Sequence, residues 1–68
     1  MKNTIKVERA RHDLTQAALA DKVNVSRQTI NSIEIGKFVP SSILALKIAS
    51  IFDTKVEDIF QLEDKDWK

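Results

Sequence analysis

The sequence contains no cysteine, and it has one histidine, one glycine and one proline. Without cysteine, neither disulfide bonds nor thiolate metal sites can stabilise the fold. The histidine, His12, precedes Asp13 near the predicted end of the first helix, where a histidine more often acts as a C-terminal charge than as a catalytic base. Gly-rich phosphate loops, Cys/His clusters and nucleophile motifs are absent too. We therefore expect no enzyme activity and no bound metal or cofactor.

Long apolar segments are also missing. No apolar run approaches the ~18 residues that can span a bilayer, and the first four residues lack the apolar stretch of a signal peptide. No segment suggests a pocket for a small-molecule ligand or a sensor domain. The sequence therefore predicts a cytoplasmic protein without membrane contact.

At 68 residues the chain can form one domain, which we assign to residues 1–68. A domain of this size is only marginally stable alone, so well-formed helices or a partner subunit must contribute. Charge is unevenly distributed, because residues 1–52 carry eight Lys/Arg and four Asp/Glu, whereas residues 53–68 carry three and six. One interpretation is a cationic working surface with an acidic end directed elsewhere, and the other is solvated charge without a partner.

The apolar residues recur at helical spacing, and few residues interrupt them. We predict an all-α, compact domain of five helices. Thr15 and Ser26 are expected to cap the second and third helices, and Gly36 to end the third. Residues 2–5 and 60–62 are the only segments that could pair as short strands, at the two chain ends.

Residues 16–35 have the pattern of a helix-turn-helix. Two helices that cross steeply around a short turn need a small residue where they touch, and Ala20 fits that position. Asn24 fits the turn, because asparagine tolerates a positive φ better than most residues with a side chain. The positions that must face the rest of the domain are all apolar: Leu19, Val23, Val25, Ile30 and Ile33.

The third helix has a polar outer side, opposite its two isoleucines, when residues are placed about 100° apart. The side chains on that outer side are Arg27, Gln28, Asn31 and Ser32, with Thr29 on the flank. Such side chains can hydrogen-bond base edges in a major groove, and none is acidic. A solvated helix face is the alternative, but it more often contains Glu and Lys. We therefore predict that this side reads bases.

Phosphate contacts are assigned to residues beside the two helix starts and after the third helix. A helix N-terminus has unpaired amides and a positive dipole end, which suits Thr15 and Gln16. Ser26 has the same place before the third helix, and Lys37 follows that helix. The alternatives are an ordinary first-turn residue for Gln16 and simple solvation for Lys37.

Residues 14–34, with the sequence LTQAALADKVNVSRQTINSIE, resemble the helix-turn-helix of the lambda repressor/Cro (XRE-like) family. The likeness covers nearly the whole chain and includes the short, stand-alone, dimeric members. It implies a regulator of transcription, typical of prokaryotes or phages, that binds double-stranded DNA. We expect a repressor that places its third helix in the major groove of a palindromic operator as a homodimer.

The resemblance also implies roles for single residues. Gln16 would bond a phosphate and brace the third helix, and the loop after Gly36 would lie along the DNA backbone. An ion pair between Arg9 and Glu34 would tie the first helix to the third.

Several positions depart from the family pattern. Asn24 and Asp53 replace the usual turn glycines, and Lys55 stands where the fifth helix usually has a Ser or Thr cap. Ile35 occupies a position that is usually polar; packing against Phe38 and contact with thymine methyls or sugars are both open for it.

A homodimer is expected because one recognition helix contacts too few base pairs for strong specificity. The chain end also has more apolar residues than one small core requires. We assign a two-fold interface to this set: Ile51, Phe52, Ile59, Phe60 and Leu62.

The alternative function is binding to a protein. A helix-turn-helix protein of this kind can be the antitoxin of a toxin–antitoxin pair or a coactivator that bridges two proteins. Trp67 and the polar tail at residues 61–68 could contact such a partner, or could be a frayed terminus.

Overall fold

The computed structural model describes all 68 residues and confirms the predicted fold class. Five α-helices surround one core, and a two-stranded sheet joins the chain ends. In chain order the elements are β1 (Lys2–Asn3), α1 (Ile5–Arg11), α2 (Gln16–Lys22), α3 (Arg27–Glu34), α4 (Ser42–Ile51), α5 (Val56–Ile59), β2 (Phe60–Gln61) and the 3-10 helix η1 (Asp64–Trp67). None of the helices is long and apolar enough to cross a membrane.

Hydroxyl side chains cap three of the helices. The Oγ atoms of Thr15, Ser26 and Ser41 accept hydrogen bonds, at 3.0 to 3.2 Å, from the backbone N–H three residues later. Each bond satisfies one amide that the first turn leaves unpaired. The predicted caps Thr15 and Ser26 are confirmed, and Lys55 provides no side-chain cap to α5.

A residue with a positive φ angle follows each of the first four helices, α1 to α4. Asn24, Asp53 and Gly36 have φ angles of 61°, 52° and 84°, as their turn positions predicted. Asp13 also has a positive φ, of 55°, which the sequence analysis did not predict. Asparagine and aspartate enter this region more readily than other residues with a Cβ atom. The chain therefore makes tight turns with only one glycine.

The core draws on all five helices and on the residues that follow them. Its 12 buried members are Ile5, Leu19, Ala20, Val23, Ile30, Ile33, Leu44, Ile48, Ala49, Phe52, Ile59 and Phe60. Val25 and Ile51 pack against this cluster but are only partly buried. The apolar positions of the predicted helix-turn-helix thus face the domain interior, as expected.

The core corrects the predicted dimer interface. Phe52 and Ile59 lie inside the monomer, and Phe60 is also buried. The prediction that these residues exceed the needs of one core is wrong, because the sequence pattern did not reveal how much of the core the C-terminal segment fills. Of the predicted set, only Leu62 is exposed, and Ile51 is half-buried.

Another apolar surface lies beside α4, whose apolar residues face two directions. Leu44 and Ile48 are buried, whereas Ile43 and Leu46 are exposed and, being three positions apart, are neighbours on the helix. A groove of about 390 Å³ runs along this side, and we call it the α4 groove. Its lining is Met1, Val39, Pro40, Ser42, Ala45, Leu46, Val56 and Phe60.

A short two-stranded sheet joins the two ends of the chain. β1 and β2 are antiparallel, with Lys2 opposite Gln61 and Asn3 opposite Phe60, which confirms that the end segments pair. The Asn3 side chain donates from Nδ2 to the carbonyl of Ile33, at 2.9 Å, and accepts from the N–H of Ile5. The N-terminal strand is therefore bonded directly to α3.

The tail is also attached to the N-terminus. The Met1 ammonium group lies 3.0 Å from Glu63 Oε1 and 2.9 Å from Asp66 Oδ2. Glu63 and Asp66 form a reciprocal capping box at the start of η1. We call these contacts the terminal clamp.

Candidate nucleic-acid interface

α2 and α3 form the helix-turn-helix, and their turn holds α3 at the surface. The N–H of Val25 donates to the carbonyl of Ala20, at 3.0 Å, across the left-handed residue Asn24. Ile30 and Ile33 fix the inner side of α3 in the core. The opposite side of the helix therefore faces away from the domain.

The outer side of α3 is open along its length. Arg27, Gln28 and Asn31 are exposed, while Thr29 and Ser32 are half-buried. The Thr29 hydroxyl also shares a hydrogen bond of 2.9 Å with the Ser26 hydroxyl, so one of its bonding positions is taken by the cap. Of the five side chains expected to read bases, three are therefore exposed to solvent and two are half-buried.

Gln16 joins α2 to the outer side of α3. Its Nε2 donates to Asn31 Oδ1 at 3.1 Å and to Glu34 Oε1 at 3.2 Å, and its Oε1 accepts from Arg27 Nη1 at 3.3 Å. The amide thus contacts two of the exposed polar residues and sets their positions relative to α2. The bracing that the resemblance implied is present, and the bond to Arg27 is an addition.

Arg9 and Glu34 are in contact, as the resemblance implied. Arg9 Nε lies 2.7 Å from Glu34 Oε2, and Nη2 donates to Oε1 at 3.1 Å, which makes the pair bidentate. Arg9 Nη1 also donates to the carbonyl of Leu14. The two side chains are only 15% and 8% exposed. This pair ties α1 and the α1–α2 loop to the end of α3.

The residues expected to bind phosphate stand next to the ends of α2 and α3 in the chain. Thr15 and Ser26 are exposed at the starts of α2 and α3, and each hydroxyl already accepts its capping bond. Thr15 keeps its hydroxyl hydrogen free to donate. Lys37 is exposed after α3 and forms no ion pair.

Phe38 and Ile35 occupy different places, although the sequence left open whether they pack together. Phe38 lines a shallow hollow of about 250 Å³ whose other walls are polar, and we call it the Phe38 hollow. The walls are Ser26, Gln28, Thr29 and Ser32. Ile35 instead lines a separate hollow with Gly36 and the N-terminal residues. In the sequence, Phe38 was considered only as a possible packing partner of Ile35.

No group of three or more His, Asp or Glu side chains is arranged to hold a metal ion. His12 follows α1, its Nδ1 lies 3.0 Å from the carbonyl of Glu8, and its ring lies 5.2 Å from that of Phe52. The histidine is thus occupied in ending a helix and packing on the core.

Known proteins resemble the chain over almost its full length. Residues 5–59 match the helix-turn-helix family. An uncharacterized HTH-type transcriptional regulator of Methanocaldococcus jannaschii is 59% identical over 64 residues, which cover 94% of this chain and 97% of that protein. The uncharacterized HTH-type transcriptional regulator YgzD of Bacillus subtilis is 49% identical over 65 residues, covering 96% and 98%. A third such regulator, from Archaeoglobus fulgidus, is 44% identical over 66 residues, covering 97% and 94%. The chain belongs to the helix-turn-helix family of DNA-binding transcriptional regulators.

Proposed function

We propose that the protein is a sequence-specific repressor that binds a palindromic operator as a homodimer and inserts α3 into the major groove. The observation that carries the proposal is the open, polar and non-acidic outer side of α3, whose opposite side is held in the core by Ile30 and Ile33. A helix fixed in this way can enter a major groove as a rigid body.

Base reading is assigned to the outer side chains of α3. Arg27 can bond guanine in a bidentate manner, and Gln28 and Asn31 can each bond adenine. Ser32 and Thr29, which are half-buried, can contact only bases that approach the edge of the helix. Because Gln16 is bonded to both Arg27 and Asn31, these two side chains are partly ordered before DNA arrives. Ordering in advance reduces the entropy lost on binding.

Phosphate contacts are assigned to residues on either side of α3. Lys37 is an unpaired, exposed cation in the loop after the helix, and Thr15 retains a hydroxyl hydrogen to donate. Ser26 and Gln16 complete the set. Both Nε2 hydrogens of Gln16 are taken by the brace, so Gln16 would contact a phosphate through its unpaired backbone N–H at the start of α2. Contacts of this kind fix the register of the protein on the duplex but do not discriminate between bases.

A homodimer is proposed because two recognition helices about 34 Å apart can read two half-sites of one operator. We place the two-fold contact at the α4 groove. Leu46 lines the groove and is 61% exposed, and the exposed Ile43 lies beside it on α4. A contiguous apolar surface on so small a protein favours burial against a partner. Phe60 lines the groove, so it is the one buried member of the predicted interface that a partner could still approach.

Repression is proposed because it requires only that the protein occupies DNA that RNA polymerase needs. We further propose that the chain is similar to short dimeric regulators such as the repressor of the cytolysin operon, which would favour the same mode of action.

The deciding experiment is selection of bound fragments from a pool of random duplex DNA, followed by sequencing. We expect an enriched palindrome whose half-sites are about 10 base pairs apart, centre to centre. Placing that palindrome over a reporter promoter should reduce expression. If no sequence is enriched, the proposed function is wrong; if a single half-site is enriched without its inverted copy, the homodimer is wrong.

The second candidate is a role in binding a protein, as an antitoxin or a bridging coactivator. It is favoured by the exposed apolar residues of the tail, Leu62 and Trp67, the latter 77% exposed. A gel shift with the purified protein separates the two functions. The repressor needs no protein partner to bind its operator, whereas a protein that binds DNA only when a partner is added fits the second candidate.

A further inference from the structure

Phe38 is the one large apolar side chain in a hollow that otherwise has polar walls, at the edge of the base-reading side of α3. It is 47% exposed and is not a member of the core. Its backbone N–H donates to the carbonyl of Ser32, at 3.2 Å, which holds the residue against the end of the helix. The domain thus places an aromatic ring beside Gln28 and Ser32 without burying it for stability.

The side chains that line the Phe38 hollow determine which chemical groups can bind in it. Three hydroxyl-bearing side chains and one amide can satisfy polar atoms, while the ring of Phe38 offers an apolar surface. In the major groove, the one apolar group that a base pair presents is the C5-methyl of thymine. Gln28, which lines the same hollow, has the amide that pairs with adenine. An A·T pair therefore presents both of the groups that this hollow can accept.

We infer that Phe38 is a specificity-determining residue that reads a thymine methyl at the edge of each half-site. The inference rests on the proposed DNA-binding function and extends the reading surface beyond α3 into the loop that follows it. The Ser32 carbonyl, which also accepts from the N–H of Lys37 at 2.9 Å, fixes the loop. Phe38 then approaches the bases while Lys37 approaches the backbone.

The test uses the full chain and the palindrome obtained by selection. Each thymine is replaced in turn by deoxyuridine, in both half-sites together, because this change removes the methyl group and leaves base pairing intact. Burial of one methyl group corresponds to an affinity change of about fourfold. We expect one thymine position at which the substitution weakens the binding of the unmodified protein by about that factor for each half-site.

Two alanine variants assign the effect to Phe38. Phe38→Ala should bind the thymine operator more weakly and show no further loss with deoxyuridine at that position. Val7→Ala is the matched control, since Val7 is an aliphatic residue on α1 that is 52% exposed and lies outside the hollow. It should retain the full deoxyuridine effect. Thermal melting establishes that both variants are folded, and Phe38→Leu, which keeps an apolar side chain, should retain part of the effect.

The inference is overturned if no thymine position is sensitive in the unmodified protein, or if Phe38→Ala and Val7→Ala are equally sensitive to deoxyuridine. Failure of the proposed function gives a different result, because then no palindrome is enriched and the substitutions cannot be made.

Discussion

At the scale of single residues, Glu34 connects three helices of the site, α1, α2 and α3. Its carboxylate accepts from Arg9 on α1 and from Gln16 on α2, while its own backbone belongs to α3. A poorly solvated carboxylate that loses its cation leaves an uncompensated charge. The Arg9–Glu34 pair therefore holds the orientation of the recognition helix as well as the stability of the domain.

Replacing Arg9 tests this role. We expect Arg9→Met to lower the free energy of unfolding by about 2 kcal/mol, less than the removal of one partner from a fully buried pair. Urea unfolding measures the change. Arg11→Met is the matched control, because Arg11 is an exposed residue of the same helix whose one ion pair, 3.5 Å from Glu8, has the i, i+3 spacing, and helix pairs of this kind contribute about 0.5 kcal/mol. Equal losses in the two variants would show that the Arg9–Glu34 pair has no special role.

Base-reading and phosphate-binding residues should respond differently to replacement. Gln28→Ala, like Arg27→Ala, should lose about 1–3 kcal/mol of binding to the operator and blur the preference at one base position. Lys37→Ala should weaken binding to operator and random DNA alike and reduce the dependence on salt. Fluorescence anisotropy at several salt concentrations measures both effects. If the two kinds of variant change specific and random binding in the same proportion, the assignment of reading residues is incorrect.

Some of these residues could be predicted and others could not, for physical reasons. Asn24 was predictable because a tight turn needs a residue that tolerates positive φ, and few residue types do. The Arg9–Glu34 contact is invisible to periodicity and came only from the resemblance. Asp13 was missed because its left-handed conformation follows from where α1 ends. The Phe38 hollow depends on the path of a loop, which no spacing rule gives.

At the scale of elements, the starts of the helices could be predicted from the sequence, because a hydroxyl side chain just before an apolar run is the usual cap of a helix N-terminus. Which apolar residues remain exposed could not be predicted from the sequence. The apolar residues of α4 and of the C-terminal segment look alike in sequence, but tertiary packing buries Phe52 and Ile59 and leaves Ile43 and Leu46 outside. Only the relative placement of α4 and α5 decides which apolar residues remain uncovered.

The terminal clamp should make the sheet and η1 sensitive to pH. The hydrogen bonds that the Met1 ammonium group donates to Asp66, and then to Glu63, raise its pKa above 8.0. The backbone N–H of Glu63, and then the ammonium group, lower the pKa of Asp66 below 3.8. Because the ammonium pKa is raised, the contact between the ammonium group and the two carboxylates is complete below pH 8.0 and is lost as the pH rises through the raised pKa. Because the pKa of Asp66 is lowered, its contact is complete above pH 3.8 and is lost as the pH falls through the lowered pKa.

We therefore expect η1 to be attached between about pH 4 and pH 8 and to loosen on either side. Trp67, the only tryptophan, lies in η1, so its fluorescence should change at the alkaline and acid limits. In Asp66→Asn, the alkaline change should move down towards pH 8.0, because the largest cause of the raised ammonium pKa is removed. An alkaline change that stays at the same pH in this variant would contradict the assignment.

At the scale of the whole molecule, the α4 groove should control assembly. Leu46→Glu places a charge in the proposed two-fold contact without disturbing the core, since Leu46 is exposed in the monomer. We expect sedimentation to show a folded monomer and operator binding to fall sharply. Val7→Glu is the control, because Val7 is an exposed aliphatic residue on α1 that does not line the groove. A dimer that persists in Leu46→Glu would place the contact elsewhere.

The attachment of β1 to α3 has a practical consequence for work with the protein. Asn3 is bonded to the carbonyl of Ile33, and Met1 is anchored two residues earlier. A purification tag fused ahead of Met1 turns the ammonium group into an uncharged amide and removes its ion pairs with Glu63 and Asp66. The affected residue is then next to β1, the strand that is bonded to α3. Affinities for DNA are better measured on protein whose amino terminus has been restored.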